Sequence, residues 1–182
     1  FEPRGGRAQY YDAEARELHG SWLVFPCRFD RISSQFDPRR MHPVLHRIQP
    51  HNGTDFAAAT GTPVWAAAAG TIVWAGPKGP NGNLVSIEHE GGYTTHYAHL
   101  SRITAGITRG VHVAQRQSIG QVGTTGRSTG PHLHFGLKRG ATFLDPMSLL
   151  NGPGRVLAGP ALATFRRSQR ALDAELAHLE VR

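Results

Sequence analysis

The segment Asn83–His99, NLVSIEHEGGYTTHYAH, indicates the fold class of this chain. Its two halves are rich in β-branched and aromatic residues and flank Glu90-Gly91-Gly92. Glycines between two such runs are typical of a hairpin, because glycine tolerates the backbone angles that a tight turn requires. The segment therefore predicts two strands, Asn83–His89 and Tyr93–His99, joined by a short turn.

Short runs of the same kind continue on both sides of this hairpin. We predict further strands at Pro63–Ala68, Thr71–Ala75, Val111–Ala114, Ser118–Val122 and His132–Leu137. Glycine or Gly-Pro signals separate most of them. Several short strands with turn residues between them predict a mainly β domain, a sandwich or a barrel.

The two ends of the chain differ from this central part. Ser21–Phe29 predicts an edge strand interrupted at Pro26, because proline cannot donate a ladder hydrogen bond. A short helical pattern surrounds Asp12–Leu18, and residues 33–50 are expected to be irregular. We expect residues 1–20 to be a lead-in and residues 21–150 to be the domain.

Residues 151–182 are predicted to be a linker and a helix. Asn151-Gly152-Pro153-Gly154 breaks the β pattern, and Pro160 suits a first helical turn. Apolar residues then recur at helical spacing and predict a C-terminal amphipathic helix: Leu162, Phe165, Leu172, Leu176 and Leu179.

Composition excludes several classes of protein. The 182 residues fit one domain, and the net charge of +7 is spread without a basic stripe, so we expect no nucleic-acid partner. Cys27 is the sole cysteine, which excludes an intrachain disulfide and a thiolate zinc cluster. No apolar run is long enough to span a membrane. Because the chain begins with Phe1, we expect a processed or excised piece whose targeting signal lies upstream.

His132-Leu133-His134 is the sharpest local feature. Side chains alternate along a strand, so both imidazoles should point to one face, where they could ligate a metal. The alternative is a pair of solvated histidines. The long glycine-rich approach from Gly123 to Pro131 favours an open cleft.

His51-Asn-Gly-Thr-Asp55 is the second feature, and Asp55 leads into Phe56-Ala57-Ala58, which is predicted to be a strand entering the core. On its own this spacing is weak, but it lies in the same β-rich domain as the histidine pair. Nitrogen and carboxylate ligands from the two segments would form a His₂Asp set with a position open to water, which is typical of catalytic zinc.

Thr95–Leu100 contributes His96 and His99 as further candidates. Either could transfer a proton at a metal-bound water or stabilise the developing oxyanion. Their spacing does not distinguish them, and either could instead have a structural role at the strand end.

These motifs together resemble the LytM/lysostaphin-type zinc metallopeptidases, which cut peptide bonds in peptidoglycan. The resemblance covers about residues 21–150. Beyond His51…Asp55 and His132-Leu-His134, it rests on Gly61-Thr-Pro-Val-Trp-Ala66, Asn83–His89, Tyr97-Ala-His-Leu-Ser101 and Thr125–Phe135. The segment Arg31–His46 is similar to the periplasmic endopeptidases of Gram-negative bacteria.

The resemblance implies a compact antiparallel β-sheet or barrel-like fold and a role for each site residue. His51, Asp55 and His134 would hold Zn²⁺, and His99 and His132 would be the catalytic pair. His42 would lie beside the cleft and bind substrate, while His46, His89 and His96 match no ligand position and are interpreted as structural.

The resemblance also implies a zinc-dependent endopeptidase acting on the cross-links of peptidoglycan stem peptides in the periplasm or cell envelope. It favours the bond between D-Ala and meso-diaminopimelate. We expect a monomer whose upstream regions are regulatory or wall-binding, and a specificity set by the loops at residues 39–49 and 76–82.

Two other functions are compatible with the sequence. One is a non-catalytic LytM-like wall-binding module or activator of other wall hydrolases, as in relatives that lack metal ligands. The five core positions are intact here, which argues against it. The other is a phosphocarrier domain with a histidine pair, against which Asp55 in a ligand position argues.

Overall fold

Eleven strands in the described part of the chain form two antiparallel sheets. The computed structural model describes residues 13, 15, 23–40, 48, 50–150 and 157–179, and the helical side chains through residue 173. In chain order the strands are β1 (Arg31–Ser34), β2 (Thr54–Ala57), β3 (Pro63–Trp65), β4 (Gly70–Pro77), β5 (Asn83–Glu88), β6 (Tyr93–Leu100), β7 (Arg102–Ile103), β8 (His112–Val113), β9 (Ser118–Gln121), β10 (His132–Arg139) and β11 (Thr142–Leu144).

The larger sheet has the order β1-β2-β10-β6-β5-β4-β8, and β11 pairs with the far end of β10. The smaller sheet has the order β3-β9-β7. Every pairing within the two sheets is antiparallel. The prediction of a mainly β fold with antiparallel sheets is therefore confirmed.

The hairpin predicted from residues 83–99 is formed by β5 and β6 in the middle of the larger sheet. Gly91 and Gly92 join the strands with φ angles of 71° and 75°. Residues with a Cβ atom rarely adopt these left-handed angles, so the two glycines set where the chain reverses.

The two faces of the larger sheet differ in character. One face is apolar and fully buried; it includes Phe56, Val85, Tyr97, Leu133 and Phe135. The residues that alternate with these along the strands belong to the opposite face, among them Asp55, His96, Ala98 and His134. Strand alternation thus separates a core from a polar face that can carry chemistry.

A chain of hydrogen bonds crosses the core beneath the sheet. His89 bonds the carbonyl of Ala69 and the hydroxyl of Thr95, which in turn bonds the hydroxyl of Tyr97. The Tyr97 hydroxyl also accepts the amide proton of Ala67, just after β3. His89 is 6% exposed and lies on the core face, which fits the structural role expected for it.

Most of the predicted strands are present with shifted ends, but the edge strand at Ser21–Phe29 is wrong. Of its described residues, only Leu23 and Cys27 form isolated bridges, to Leu150 and Val64. Pro26 explains the break, because it lacks an amide proton and uses its carbonyl to accept the Trp65 amide. The strands β1, β7 and β11, by contrast, were not predicted.

The α-helix α1 (Gly159–Leu179) confirms the predicted C-terminal helix and has Pro160 in its first turn. It belongs to a different compact unit from Leu23–Asn151, which holds both sheets. Phe165 is buried, whereas Leu172 is 56% exposed, so the expected apolar stripe is only partly covered among the described side chains. No helix among the described residues is sufficiently long and apolar to cross a membrane. The helical pattern around residues 12–18 lies outside the described residues, apart from Ala13 and Ala15.

Candidate metal centre

Three side chains from two neighbouring strands and the loop before them meet on the polar face. Asp55 on β2 and His134 on β10 are direct partners in the antiparallel register. His51 precedes β2 and forms a bridge with Asp37 rather than belonging to the strand. His51 thus reaches Asp55 from the loop before β2 and not from the strand itself.

The three potential ligand atoms lie close together. Oδ1 of Asp55 is 2.7 Å from Nδ1 of His134 and 3.1 Å from Nε2 of His51, and the two nitrogens are 3.2 Å apart. A tetrahedral zinc centre with bonds of about 2.0–2.1 Å separates its ligand atoms by about 3.3 Å. Two of the three separations are close to this value and the third is shorter, and the donor chemistry, two imidazole nitrogens and one carboxylate oxygen, fits a zinc ion.

Hydrogen bonds orient the imidazole of His51 for this role. Its Nδ1–H donates to the carbonyl of Gln35 over 2.6 Å, with the Ser34 hydroxyl 3.1 Å from the same nitrogen. A bond of this kind fixes the tautomer, so that Nε2 carries the lone pair. Ser34 at the end of β1 and Gln35 just after it therefore hold the ring of His51, although this strand was not predicted from the sequence.

Electrostatics keep the carboxylate of Asp55 charged. Burial alone would raise its pKa, but hydrogen bonds and charge from His134 and His51 outweigh burial and hold the pKa far below its usual range. Burial also opposes charge on His51, yet Asp55 and the Gln35 carbonyl raise the pKa of this histidine. An anionic ligand is therefore present throughout the neutral pH range.

Gly53 allows His134 to approach the loop. A Cβ atom at this position would lie 2.6 Å from the carbonyl oxygen of Phe135 and 2.8 Å from both Cε1 and Nε2 of His134. Only glycine leaves space for the ring between loop and strand. The isolated Gly within His51-Asn-Gly-Thr-Asp55 was the sequence signal of this close approach.

Two further histidines lie beside the three ligand atoms. His132 has its Nδ1 2.8 Å from the Gly130 carbonyl and its Nε2 3.8 Å from Oδ1 of Asp55. The ring centroid of His99 is 4.8 Å from that of His132 and 5.9 Å from that of His134. Both line the cleft, and their role as a catalytic pair stays a prediction.

His99 is held by an unusual backbone and by one hydrogen bond. Its φ is 63°, a left-handed conformation uncommon for a residue with a side chain, and its Nδ1–H donates to the Thr125 carbonyl over 2.8 Å. Burial lowers the pKa of His99, so the ring is neutral at pH 7. Because Nδ1 carries the proton, Nε2 of His99 has the lone pair and can accept a proton.

The cleft around these groups has a volume of about 460 Å³. The short turn Gly79–Asn81 and the loop Arg127–Thr129 border it. The two glycines next to these segments, Gly82 and Gly126, lie in close backbone contact. A Cβ on Gly126 would lie 2.3 Å from the Gly82 amide nitrogen, so both cleft borders depend on a glycine contact. Asn52, Asn81 and Arg127 line the cleft and were not singled out from the sequence.

The structure separates the remaining histidine candidates. His96 lies on the polar face of β6, hydrogen-bonded to Ser86 over 2.8 Å, and it is not among the residues that line the cleft. His99 rather than His96 is thus the residue beside the ligand atoms. His42 and His46 lie outside the described residues, so the expectation for His42 stays a prediction.

Comparisons with known proteins identify the family of this chain. The family model described as Peptidase family M23 matches residues 49–146. The chain is 41% identical over 156 residues to the peptidoglycan DD-endopeptidase ShyC of Vibrio cholerae, an alignment covering 86% of this chain and 36% of that protein. It is 42% identical over 170 residues to the DD-carboxypeptidase/endopeptidase Mpg of Neisseria meningitidis, covering 92% and 38%.

A solved structure of a zinc-containing peptidase from Vibrio cholerae is also similar. It superposes with a TM-score of 0.66 at 35% identity, over 76% of this chain and 45% of that chain. The chain spans less than two fifths of the length of the two curated relatives described above.

Proposed function

The chain belongs to peptidase family M23, and from this we propose that it is a zinc-dependent endopeptidase hydrolysing the peptide cross-links of peptidoglycan. The observation that carries the proposal is the convergence of His51 Nε2, Asp55 Oδ1 and His134 Nδ1 within 3.2 Å of one another. Two more histidines beside these atoms supply proton-transfer groups. The names of ShyC and Mpg support peptidoglycan as the substrate.

His51, Asp55 and His134 would hold the zinc ion, and the fourth position would be left for water and substrate. When bound, zinc supplies a Lewis acid and lowers the pKa of a coordinated water to about 7. The chain's own residues hold the other groups in place. The cleft would take an extended peptide between the turn Gly79–Asn81 and the loop Arg127–Thr129.

His99 and His132 would move the protons of the reaction. Nε2 of neutral His99 can accept a proton from the attacking water, because its Nδ1 is already a donor to Thr125. Nε2 of His132, 3.8 Å from Oδ1 of Asp55, also has a lone pair, because its Nδ1–H donates to the Gly130 carbonyl. Once His132 has taken up a proton on Nε2, it can donate a hydrogen bond to the developing oxyanion. Either ring can then return a proton to the leaving amine.

We propose that the bond cleaved is the one between D-Ala and meso-diaminopimelate, and the DD-endopeptidase name of ShyC supports this specificity. We place the enzyme in the periplasm or cell envelope, where that bond is found. The catalytic domain would comprise residues 21–150 and would act as a monomer. Further regions of a longer protein would have regulatory or wall-binding roles.

The test is the release of muropeptides from purified sacculi by zinc-loaded protein. We expect uncross-linked peptides, loss of release with a chelator, and recovery with zinc. His51→Ala should abolish both zinc binding and release. Loaded protein that releases nothing, but stimulates another wall hydrolase, would replace this proposal with the non-catalytic activator.

A further inference from the structure

A second cavity adjoins the metal cleft along the same face of the larger sheet. It has a volume of about 340 Å³ and shares Asn52, Asn81 and His134 with the cleft. We call it the lysine pocket, and its other main walls are Lys78, His96, Lys138 and Phe143. None of the residues that line it carries a carboxylate.

The strand β10 builds the floor of the lysine pocket. His134, Gly136 and Lys138 share one face because side chains alternate, and Gly136 pairs with His96 on β6. Gly136 leaves the floor open: a Cβ there would lie 3.2 Å from the Asn52 carbonyl oxygen and 3.4 Å from the Cβ of His96. The pocket is thus a gap between the metal-site histidine and a lysine.

Lys78 and Lys138 are the only lysines in the sequence, in which the other 18 basic residues are arginine. They come from separate segments, just after β4 and on β10, yet they line one cavity. The ammonium group of Lys78 lies 4.7 Å from the ring centroid of Trp74, a cation–π contact that limits its freedom. Among the described residues, neither lysine forms an ion pair with a carboxylate.

His96 contributes a neutral imidazole to the lysine pocket. Burial, and then the positive charges of Lys78, Lys138 and His134, lower the pKa of His96 to about 4. At neutral pH this ring is an uncharged hydrogen-bonding group, with the Ser86 hydroxyl on its Nδ1. The pocket therefore offers two cations, neutral polar groups and the apolar wall of Phe143.

We propose that the lysine pocket binds a free carboxylate of the substrate's stem peptide while the neighbouring bond lies at the metal centre. This inference rests on the proposed function. Diaminopimelate carries such a carboxylate beside an aliphatic chain, which matches two ammonium groups and the Phe143 ring. His134 and Lys138 are four residues apart, about 13 Å along the strand, so the pocket begins at the metal-site histidine and ends at the lysine.

The first experiment compares cross-linked peptides whose diaminopimelate carboxylate is free or amidated. One matched pair differs on the amine side of the scissile bond and a second pair on the acyl side, so that the two sources of the carboxylate are distinguished. For the relevant pair, we expect the zinc-loaded protein to have a KM about tenfold lower for the acid than for the amide.

Removing the lysines should remove this preference. Lys78→Met with Lys138→Met should raise KM for the acid about tenfold, to the value of the amide, with kcat and zinc content retained. Arg139→Met is the matched control, because it removes one charge next to Lys138 from a side chain that lies over Tyr93. The control should keep the preference for the acid.

The second experiment measures binding without turnover. Because the chain has two lysines, acetylation by an amine-specific reagent, read residue by residue by mass spectrometry, reports on this pocket alone apart from the N-terminal amine. In metal-free protein, a saturating peptide acid should slow acetylation of Lys78 and Lys138 several-fold. The peptide amide should leave both rates unchanged.

The outcomes separate the two proposals. Cleavage of acid and amide at equal rates, with no protection of either lysine, would overturn the carboxylate pocket and leave the endopeptidase standing. Protection by the acid alone in a loaded protein that cleaves neither peptide would support the pocket and overturn the endopeptidase. A double variant that keeps the preference for the acid would also overturn the pocket.

Discussion

Replacing Gly53 with alanine should displace His134 and weaken zinc binding. The new Cβ would lie 2.8 Å from two atoms of the His134 ring, whereas ordinary contacts begin near 3.4 Å. The ring or the loop must therefore move by about 0.6 Å. The new Cβ would also lie 2.6 Å from the Phe135 carbonyl oxygen, so it cannot avoid the ring by moving towards that carbonyl. A zinc site tolerates ligand displacements of only about 0.2 Å.

The expected magnitude follows from this mismatch. Loss of support around a metal ligand typically costs about 10–100-fold in affinity, so we expect the zinc dissociation constant to rise within that range. The metal-free protein should also lose about 1–3 kcal/mol of stability, which is the usual cost of overpacking a tight contact. Activity at saturating zinc should recover only in part, since His134 stays displaced.

The assay is a zinc competition titration with a chelating dye, paired with the absorption spectrum of the cobalt-substituted protein. Cobalt bands would report a changed ligand geometry even where affinity is restored by excess metal. Gly130→Ala is the matched control, because a Cβ at Gly130 meets no atom within 4 Å. If Gly53→Ala binds zinc as tightly as the parent, or the control weakens it equally, the steric argument is wrong.

Three further predictions concern groups around the site and the core. His99→Ala should keep its zinc by metal analysis but lose about 10²–10⁴-fold in kcat, since it removes a proton-transfer group and no ligand; full activity would contradict this role. His96 has a folded pKa of about 4 against about 6.5 unfolded, so its stability contribution is full above about pH 6.5 and is lost as the pH falls towards 4, by at most about 3 kcal/mol. Urea titrations of the parent and His96→Gln should show that the parent loses more stability than the variant over this pH range. Tyr97→Phe should cost about 1–3 kcal/mol in the same titrations, because the buried Ala67 amide loses its acceptor.

The strands that could be predicted from sequence are those whose pattern is local. Asn83–Glu88 and Tyr93–Leu100 combine β-forming residues with a glycine turn, and both the pairing and the turn were found as expected. Strands β1, β7 and β11 have two to four residues and lie outside the longer β-rich runs in which the equally short β3 and β8 were predicted. Their partners in the sheet, rather than their own residues, determine that they are extended.

Sequence identified the groups of the candidate site but not the contacts that hold them. The motifs pointed to His51, Asp55, His132 and His134, and alternation placed the two β10 histidines on one face. The carbonyls of Gln35, Thr125 and Gly130, which bond the rings of His51, His99 and His132, carry no side-chain signature. Backbone acceptors of this kind become visible only when the loops are folded.

The lysine pocket depends on register in the same way as the metal centre. His134 of β10 pairs with Asp55 of β2, and Gly136 of β10 pairs with His96 of β6. The metal-site residue His134, the gap at Gly136 and Lys138 therefore follow one another along a single face of β10. A slip of one residue would turn His134 and Lys138 into the core and bring Phe135 and Leu137 out. The complete burial of Leu133, Phe135 and Leu137 opposes that slip. The apolar residues of β10 therefore fix the positions of the polar ones, and the hydrophobic core sets the distance between the metal centre and the lysine pocket.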